Sequence, residues 1–574
     1  MMFSESRETE SGETLENLPF LRKCRRCKGF DFYPLISQAK GQGNLNIVCF
    51  FIIGVAFHRK AIFFYTFFTR SKFMQKFLDG LLKAVQTINA YLSDYVLVIL
   101  LIGVGLFYTI KTKFVQIRCF GQGMKNVFGK LRLSGGKHKS GMSSFQAFTT
   151  AVAAQVGTGN IVGASAAILL GGPGAIFWMW IIAFFGMATI YSEAVLAQKT
   201  RIVHEDGTVQ GGPVYYIKKA FKGGFGKFLA VFFAVAIIIA LGFIGSMVQS
   251  NSITNAVTQA VGIPGWIIGL IIASLSAVIF IGGVSRLASV TEKLVPVMAV
   301  IYLLGGLVII CCKITALPEA IWFIFKYAFT PDAIIGGGLG YALKTAISMG
   351  AKRGLFSNEA GMGSTPHAHA QANVKTAHEQ GTVAMVGVFL DTFVVLTMTA
   401  LIVITTLYAG NGAISKISGQ AIADGKNVAD TVKAAGYSGN SMVRMGVASL
   451  FTNTSAGDKI AAVFVAVCLF FFAFSTIISW NLFGKINFTY LFGKKYTVIY
   501  SVLSVAFIFL GSLLSNDLVW ECADLFNYLM VIPNALALLF LSKTVVAELK
   551  ENGNKNFDKT PNSPISEEIK EESK

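Results

Sequence analysis

The chain has 574 residues and a net charge of +19, yet only 14% are charged, 54% are hydrophobic and the mean hydropathy is +0.61. Soluble proteins carry about 25% charged residues, so the composition argues against a soluble globular protein and for a polytopic helical membrane protein. The basic residues lie mostly in loops between apolar runs, which is the positive-inside pattern of membrane topology and not the footprint of a nucleic-acid partner.

Residues 1–73 stand apart, with eleven Lys/Arg against six Asp/Glu. Their two apolar runs, Ile47–Phe57 and Ala61–Phe68, are each too short to span a bilayer and are split by His58, Arg59 and Lys60. Met74 then opens an amphipathic stretch leading into a first span. The expectation is an atypical N-terminal extension upstream of a start at Met74, with an interfacial segment as the rival reading. Cys24 and Cys27 have metal-ligand spacing but no second pair, and the eight cysteines form no disulfide framework.

Spans are predicted near 93–110, 145–168, 174–197, 229–251, 265–284, 294–312, 334–364 (broken), 383–408, 460–483, 497–514 and 520–542, eleven in all. The loop 111–143 holds eight Lys/Arg and no acid, so it is expected in the cytoplasm. Alternation then places 198–228, Arg286/Lys293, Lys352/Arg353 and Lys485/Lys494/Lys495 inside, the polar loop 409–458 outside, and the C-terminus inside. The expected organisation is a first helix with its basic loop (74–143), a five-helix repeat (144–312), a second five-helix repeat (313–542) and a disordered cytoplasmic tail (543–574).

Thr149–Ser165 interrupts an apolar segment with Gln155-Val-Gly-Thr-Gly-Asn160. Glycine costs about 1 kcal/mol against alanine inside a helix. Unwound backbone is tolerated at membrane depth only when it is buried in protein or lines a cavity. A discontinuous helix that binds a small solute and an ion is therefore predicted. Residues 342–365 echo this stretch: Thr345-Ala-Ile against Thr150-Ala-Val, then Asn358, Gly361 and Ser364 against Asn160, Gly163 and Ser165. Five spans in each set would orient the two sets oppositely, as in inverted-repeat transporters.

Polar residues within the other spans are the remaining candidates. Gln249 sits in GSMVQSNSI, at a site or at the membrane interface. Ser475, Thr476 and Trp480 interrupt a phenylalanine-rich run; Thr476 and Trp480 share a helix face. The two hydroxyls suit sodium, or else bond back to their own helix. Asp391 reads equally as a coupling site or as a buried acid held by a lysine or by backbone amides. Glu193 reads as structural, and Glu521 and Asp524 as interfacial. His367 and His369, two apart, would diverge on a helix, which disfavours a metal pair.

GTGN (157–160), GGPGAIFWMWIIAFFGMATIYSEAVLAQKTR (171–201), GGPVYYI (211–217), SNEAGMGSTPHAHA (357–370) and FNYLMVIPNALALLFLS (526–542) resemble the alanine/glycine:cation symporters, also called sodium:alanine symporters or amino-acid carrier proteins. The likeness runs from about residue 80 to 545. It implies an all-α, leucine-transporter-like fold: one extra helix, then two inverted five-helix repeats. It implies a non-enzymatic cell-membrane importer of small neutral amino acids, alanine or glycine, coupled to sodium or to protons, by alternating access. Carried over residue by residue, the substrate site is Gly157, Thr158, Gly159, Asn160, Gln249, Thr476 and Trp480, and the sodium site is Asn160, Ser475 and Thr476. The implied partners are the amino acid, sodium and the lipid bilayer, with no nucleic acid and no other cofactor. The rival readings are a sodium-independent antiporter, a channel or a membrane enzyme. No pore loop or charge ring supports the channel, and no nucleophile–base pair supports the enzyme.

Overall fold

The computed structural model describes residues 72–129, 141–330, 339–424, 426–451, 454–513 and 517–553, with backbone alone at 72–75 and 339–342. The chain divides into two units, 1–78 and 79–574. Of the first unit only the helical residues 72–78 are described, so the extension and the start at Met74 fall almost wholly outside the described residues. In the second unit nearly every element is helical. Only helices and closed barrels satisfy backbone groups without water, which is why apolar runs of this length fold so.

Eight described helices are long and apolar enough to cross a membrane: Lys76–Lys111, Ala175–Thr200, Gly223–Val261, Gly283–Cys312, Ala377–Tyr408, Ser455–Phe492, Lys494–Leu513 and Asp517–Phe540. A ninth is the pair Ser144–Gln155 and Gly159–Gly171, bent by 44° at the break between them. Helix also forms at the two other predicted spans. Gly265–Ile281 has only 17 residues, and Leu339–Asn358 carries Lys344, Lys352 and Arg353.

Ser143 starts the bent helix with a capping box. Its hydroxyl accepts the Gln146 N–H at 3.0 Å, and the Gln146 side chain accepts the Ser143 N–H at 3.1 Å. Just before this cap, Met142–Ser143 pairs in parallel with Ala372–Asn373. That pairing ties the entry of the first bent helix to the chain entering Ala377–Val388.

The structure adds to four expectations. Lys352 and Arg353 fall inside the predicted broken span 334–364. They lie within Leu339–Asn358, largely buried, with Lys352 Nζ 3.1 Å and Arg353 Nη2 3.4 Å from Asp524 Oδ2. Asp524 is accordingly 1% exposed; a charge with two buried partners can leave water, which hydropathy counting does not register. The loop 409–458 contains the short helices Ala413–Ala423, Val428–Ala434 and Met442–Ala448, which bury Ile414, Val428, Val432 and Met442. The tail begins ordered. Ser542–Asn552 is a helix that buries Val545, and its Glu548 meets Lys199 Nζ at 2.7 Å and accepts the His378 N–H at 3.0 Å. Residues 554–574 lie outside the described residues.

Breaking a buried ion cluster leaves uncompensated charge, at a cost of about 3–5 kcal/mol. Asp524→Leu is expected to lower the thermal unfolding temperature of the detergent-solubilised protein sharply. Lys494→Ala, which removes an exposed 2.7 Å pair with Asp206, is expected to leave it unchanged.

Candidate functional site

The first bent helix loses its hydrogen-bond ladder because its donors find other acceptors. Val156 N–H makes the last regular bond, to Val152 O at 2.7 Å, and the backbone then departs at φ −81°, ψ 88°. Gly157 N–H, which a helix would direct to Ala153 O, donates to Asn160 Oδ1 at 3.0 Å. Thr158 N–H, due to Ala154 O, donates to Gln249 Oε1 at 3.2 Å. Asn160 N–H, due to Val156 O, turns to Gly157 O at 3.3 Å. Three carbonyls are thereby released in the interior. A wide π-turn, Gly159–Gly163, restarts the helix, a feature common at functional sites.

The released carbonyls converge on Ser475 and Thr476. Thr476 Oγ1 lies 2.9 Å from Ala153 O, 3.4 Å from Val156 O and 3.5 Å from Ala154 O. Ser475 Oγ lies 3.4 Å from Ala153 O. Both hydroxyls also reach Phe472 O of their own helix, at 2.8 and 3.0 Å. Two hydroxyl protons thus face four carbonyl oxygens, so acceptors outnumber donors. The approach requires glycine at 157, because a Cβ there would stand 2.5 Å from Thr476 Oγ1 and 3.3 Å from Gln249 Oε1.

On the same break, Thr158 Oγ1, Gln155 Oε1 and Gln249 Nε2 are buried and without a hydrogen-bond partner among the described residues. Such groups are costly unless something polar meets them. The second predicted break is adjacent. Leu339–Asn358 ends at Asn358, whose carbonyl accepts Gln155 Nε2 at 2.8 Å, and Gly159 lies against Phe356 and Ser357.

The residues named from sequence thus divide into two groups. Gly157, Thr158, Gln249, Ser475 and Thr476 meet at the break, and Gly159 faces the second break. Asn160 links the break to Asp391. Its Oδ1 is taken by Gly157 N–H, and its Nδ2 donates to Asp391 Oδ1 at 2.6 Å. Asp391 is held by hydroxyls as well: Ser357 Oγ at 2.9 and 3.1 Å and Thr392 Oγ1 at 2.9 Å. Among the described residues neither a lysine nor a backbone amide is seen to hold it. Trp480 is 1% exposed and donates its Nε1–H to Glu359 Oε1 at 2.6 Å.

Sequence reasoning passed over Gln155, Ser357 and Glu359 as site residues. Gln155 stood inside the opening motif and Glu359 inside SNEAGMGS, so an amide and an acid beside a break were the available signals. Glu193 is fully buried and binds Asn534 Nδ2 at 2.5 Å and Gly361 N–H at 3.3 Å. Its role is therefore to anchor the second broken segment. His367 and His369 have separate partners, Asn487 and Gln380, both at 2.8 Å. Among the described residues no three His, Cys, Asp or Glu side chains cluster as a metal site.

A family model described as the sodium:alanine symporter family matches residues 78–566. The sodium/alanine symporter AgcS of Methanococcus maripaludis is 39% identical over 467 residues, covering 81% of this chain and 96% of that protein. An uncharacterized transporter of Haemophilus influenzae is 38% identical, covering 81% and 95%. The amino-acid carrier protein AlsT of Bacillus subtilis is 36% identical, covering 80% and 90%. A crystal structure of MhsT in complex with L-phenylalanine aligns at 14% identity with a TM-score of 0.48, covering 72% and 99%; at that level it says nothing about this chain. The family match and the extended identity together give one conclusion: the chain belongs to the sodium:alanine symporter family.

Proposed function

We propose that the protein imports small neutral amino acids, alanine and glycine foremost, across the cell membrane by symport with sodium. The observation that carries this reading is the excess of carbonyl oxygens over hydroxyl protons where Ala153, Ala154 and Val156 meet Ser475 and Thr476. A monovalent cation supplies what that cluster lacks, since hard cations prefer neutral and anionic oxygens. Asn160 serves the other half of the site, fixing the break from the Asp391 side.

The amino acid lies on the opposite face of the same break. Its carboxylate takes the amide protons of Gly157 and Thr158, which Asn160 and Gln249 oxygens hold here, at the start of the half-helix that Gly159 opens. Thr158 Oγ1 and Gln249 Nε2 supply the further polar contacts, and Trp480 bounds the side chain. The architecture in this reading is leucine-transporter-like, one helix followed by two inverted five-helix sets with a broken helix leading each, and the C-terminus in the cytoplasm. Contact between the two breaks through Gln155 and Asn358 supports it. Ion and substrate order the breaks together, and the loaded protein rocks toward the cytoplasm. The work is transport, without covalent chemistry.

Uptake of labelled alanine into proteoliposomes tests the proposal. An inward sodium gradient is expected to drive accumulation, and accumulation that ignores sodium and pH alike would overturn it. Ser475→Ala with Thr476→Ala is expected to raise the half-saturating sodium concentration about threefold or more, while an unaltered sodium curve removes that cation site. Gly157→Leu is expected to reach the membrane and transport nothing. Trp480→Ala is expected to admit larger side chains, to be read as competition by leucine for alanine uptake.

A further inference from the structure

We infer that Glu359 is a positioning residue for substrate selectivity, holding the Trp480 indole in place and linking it to the backbone of the second break. This rests on the reading of Trp480 as the wall of the amino-acid pocket.

Glu359 is the first residue beyond Leu339–Asn358 and adopts φ +58°, a left-handed conformation that side-chain-bearing residues rarely take. The other non-glycine residues with positive φ among the described residues are Lys113, Phe114 and Asn411, all exposed; Glu359 is fully buried. Strain kept at a buried position points to surroundings that enforce it. Here both carboxyl oxygens are engaged. Oε1 accepts the Trp480 Nε1–H at 2.6 Å, and Oε2 accepts the Ser364 hydroxyl. No Lys or Arg among the described residues pairs with Glu359, so it is not half of a structural ion pair.

The indole has a single donor, and Glu359 receives it. The ring itself lies between a flat wall and an edge. A Cβ on Gly245 would stand 2.6 Å from Trp480 Cζ3, and Phe356 meets the ring at 89° with centroids 6.0 Å apart. Packing fixes the ring's apolar surface, and the bond to Glu359 fixes its one polar atom and so its orientation. Trp480 stands one turn from Thr476, which touches the first break. Glu359 follows Asn358, which Gln155 ties to the first break. A change in the backbone of 359–364 therefore moves the acceptor, and the pocket wall with it.

The test is alanine and leucine uptake by the full chain in proteoliposomes. Glu359→Ala is expected to raise KM for alanine about fivefold and to narrow the preference for alanine over leucine, with maximal rate changed less than about twofold. Glu359→Gln, whose amide oxygen still accepts the indole proton, is expected to restore both. Trp480→Phe keeps a ring and deletes the donor, so it should match Glu359→Ala, and the double variant should add nothing further. Wild-type KM and selectivity in Trp480→Phe would overturn the inference, as would Glu359→Gln behaving like Glu359→Ala. If Glu359→Ala does not reach the membrane, the Gln and Phe variants decide alone. Absence of uptake by the wild type would instead remove the transport reading beneath it.

Discussion

A backbone that unwinds inside a membrane must find partners for every group it releases, and the rest of this structure follows from how that is met at residues 153–160. The amide protons go to two side-chain amides, Asn160 and Gln249. The carbonyls go to two hydroxyls, Ser475 and Thr476, which cannot satisfy all of them. The donors are therefore spoken for by groups that a bound carboxylate can displace, and the acceptors are left in excess. One break thus presents a face suited to an anion and a face suited to a cation.

The surrounding elements keep this arrangement from collapsing into an ordinary helix. Asp391 accepts from Asn160, and Ser357 and Thr392 hold Asp391. Gln155 reaches the last carbonyl of Leu339–Asn358, so the second break begins where the first is braced. Further out, Lys352 and Arg353 bind Asp524, and Glu193 with Asn534 holds Gly361. Polar and charged groups buried this deeply are expensive in isolation. Their convergence on the two broken segments explains why the chain spends them there.

Much of this was legible in the sequence because hydropathy and glycine placement report directly on membrane depth and on helix continuity. The break at Gly157–Asn160, the one after Asn358, and the polar cluster at Ser475–Trp480 could each be read as departures from an apolar run. Partner identity could not. Nothing local to Lys352 says that Asp524, on another helix, will pair with it. Asp391 was recognised as an unusual acid, but its holders, Asn160 and Ser357, are far away in sequence. Residues 543–552 looked disordered because charge balance hides an amphipathic helix that buries Val545 and Leu549. The Asn160 side chain folds back over the break to cap Gly157 N–H, a contact that spacing in the sequence does not announce.

If the two faces of one break hold the two solutes and each orders the break for the other, the gain in affinity must be the same factor in both directions. Equilibrium binding of alanine to the purified protein, measured across a sodium titration, tests this most directly, with sodium binding measured in the presence and absence of alanine. The account predicts that sodium tightens alanine binding and that alanine tightens sodium binding by an equal factor. Alanine affinity identical in sodium and in choline would contradict it.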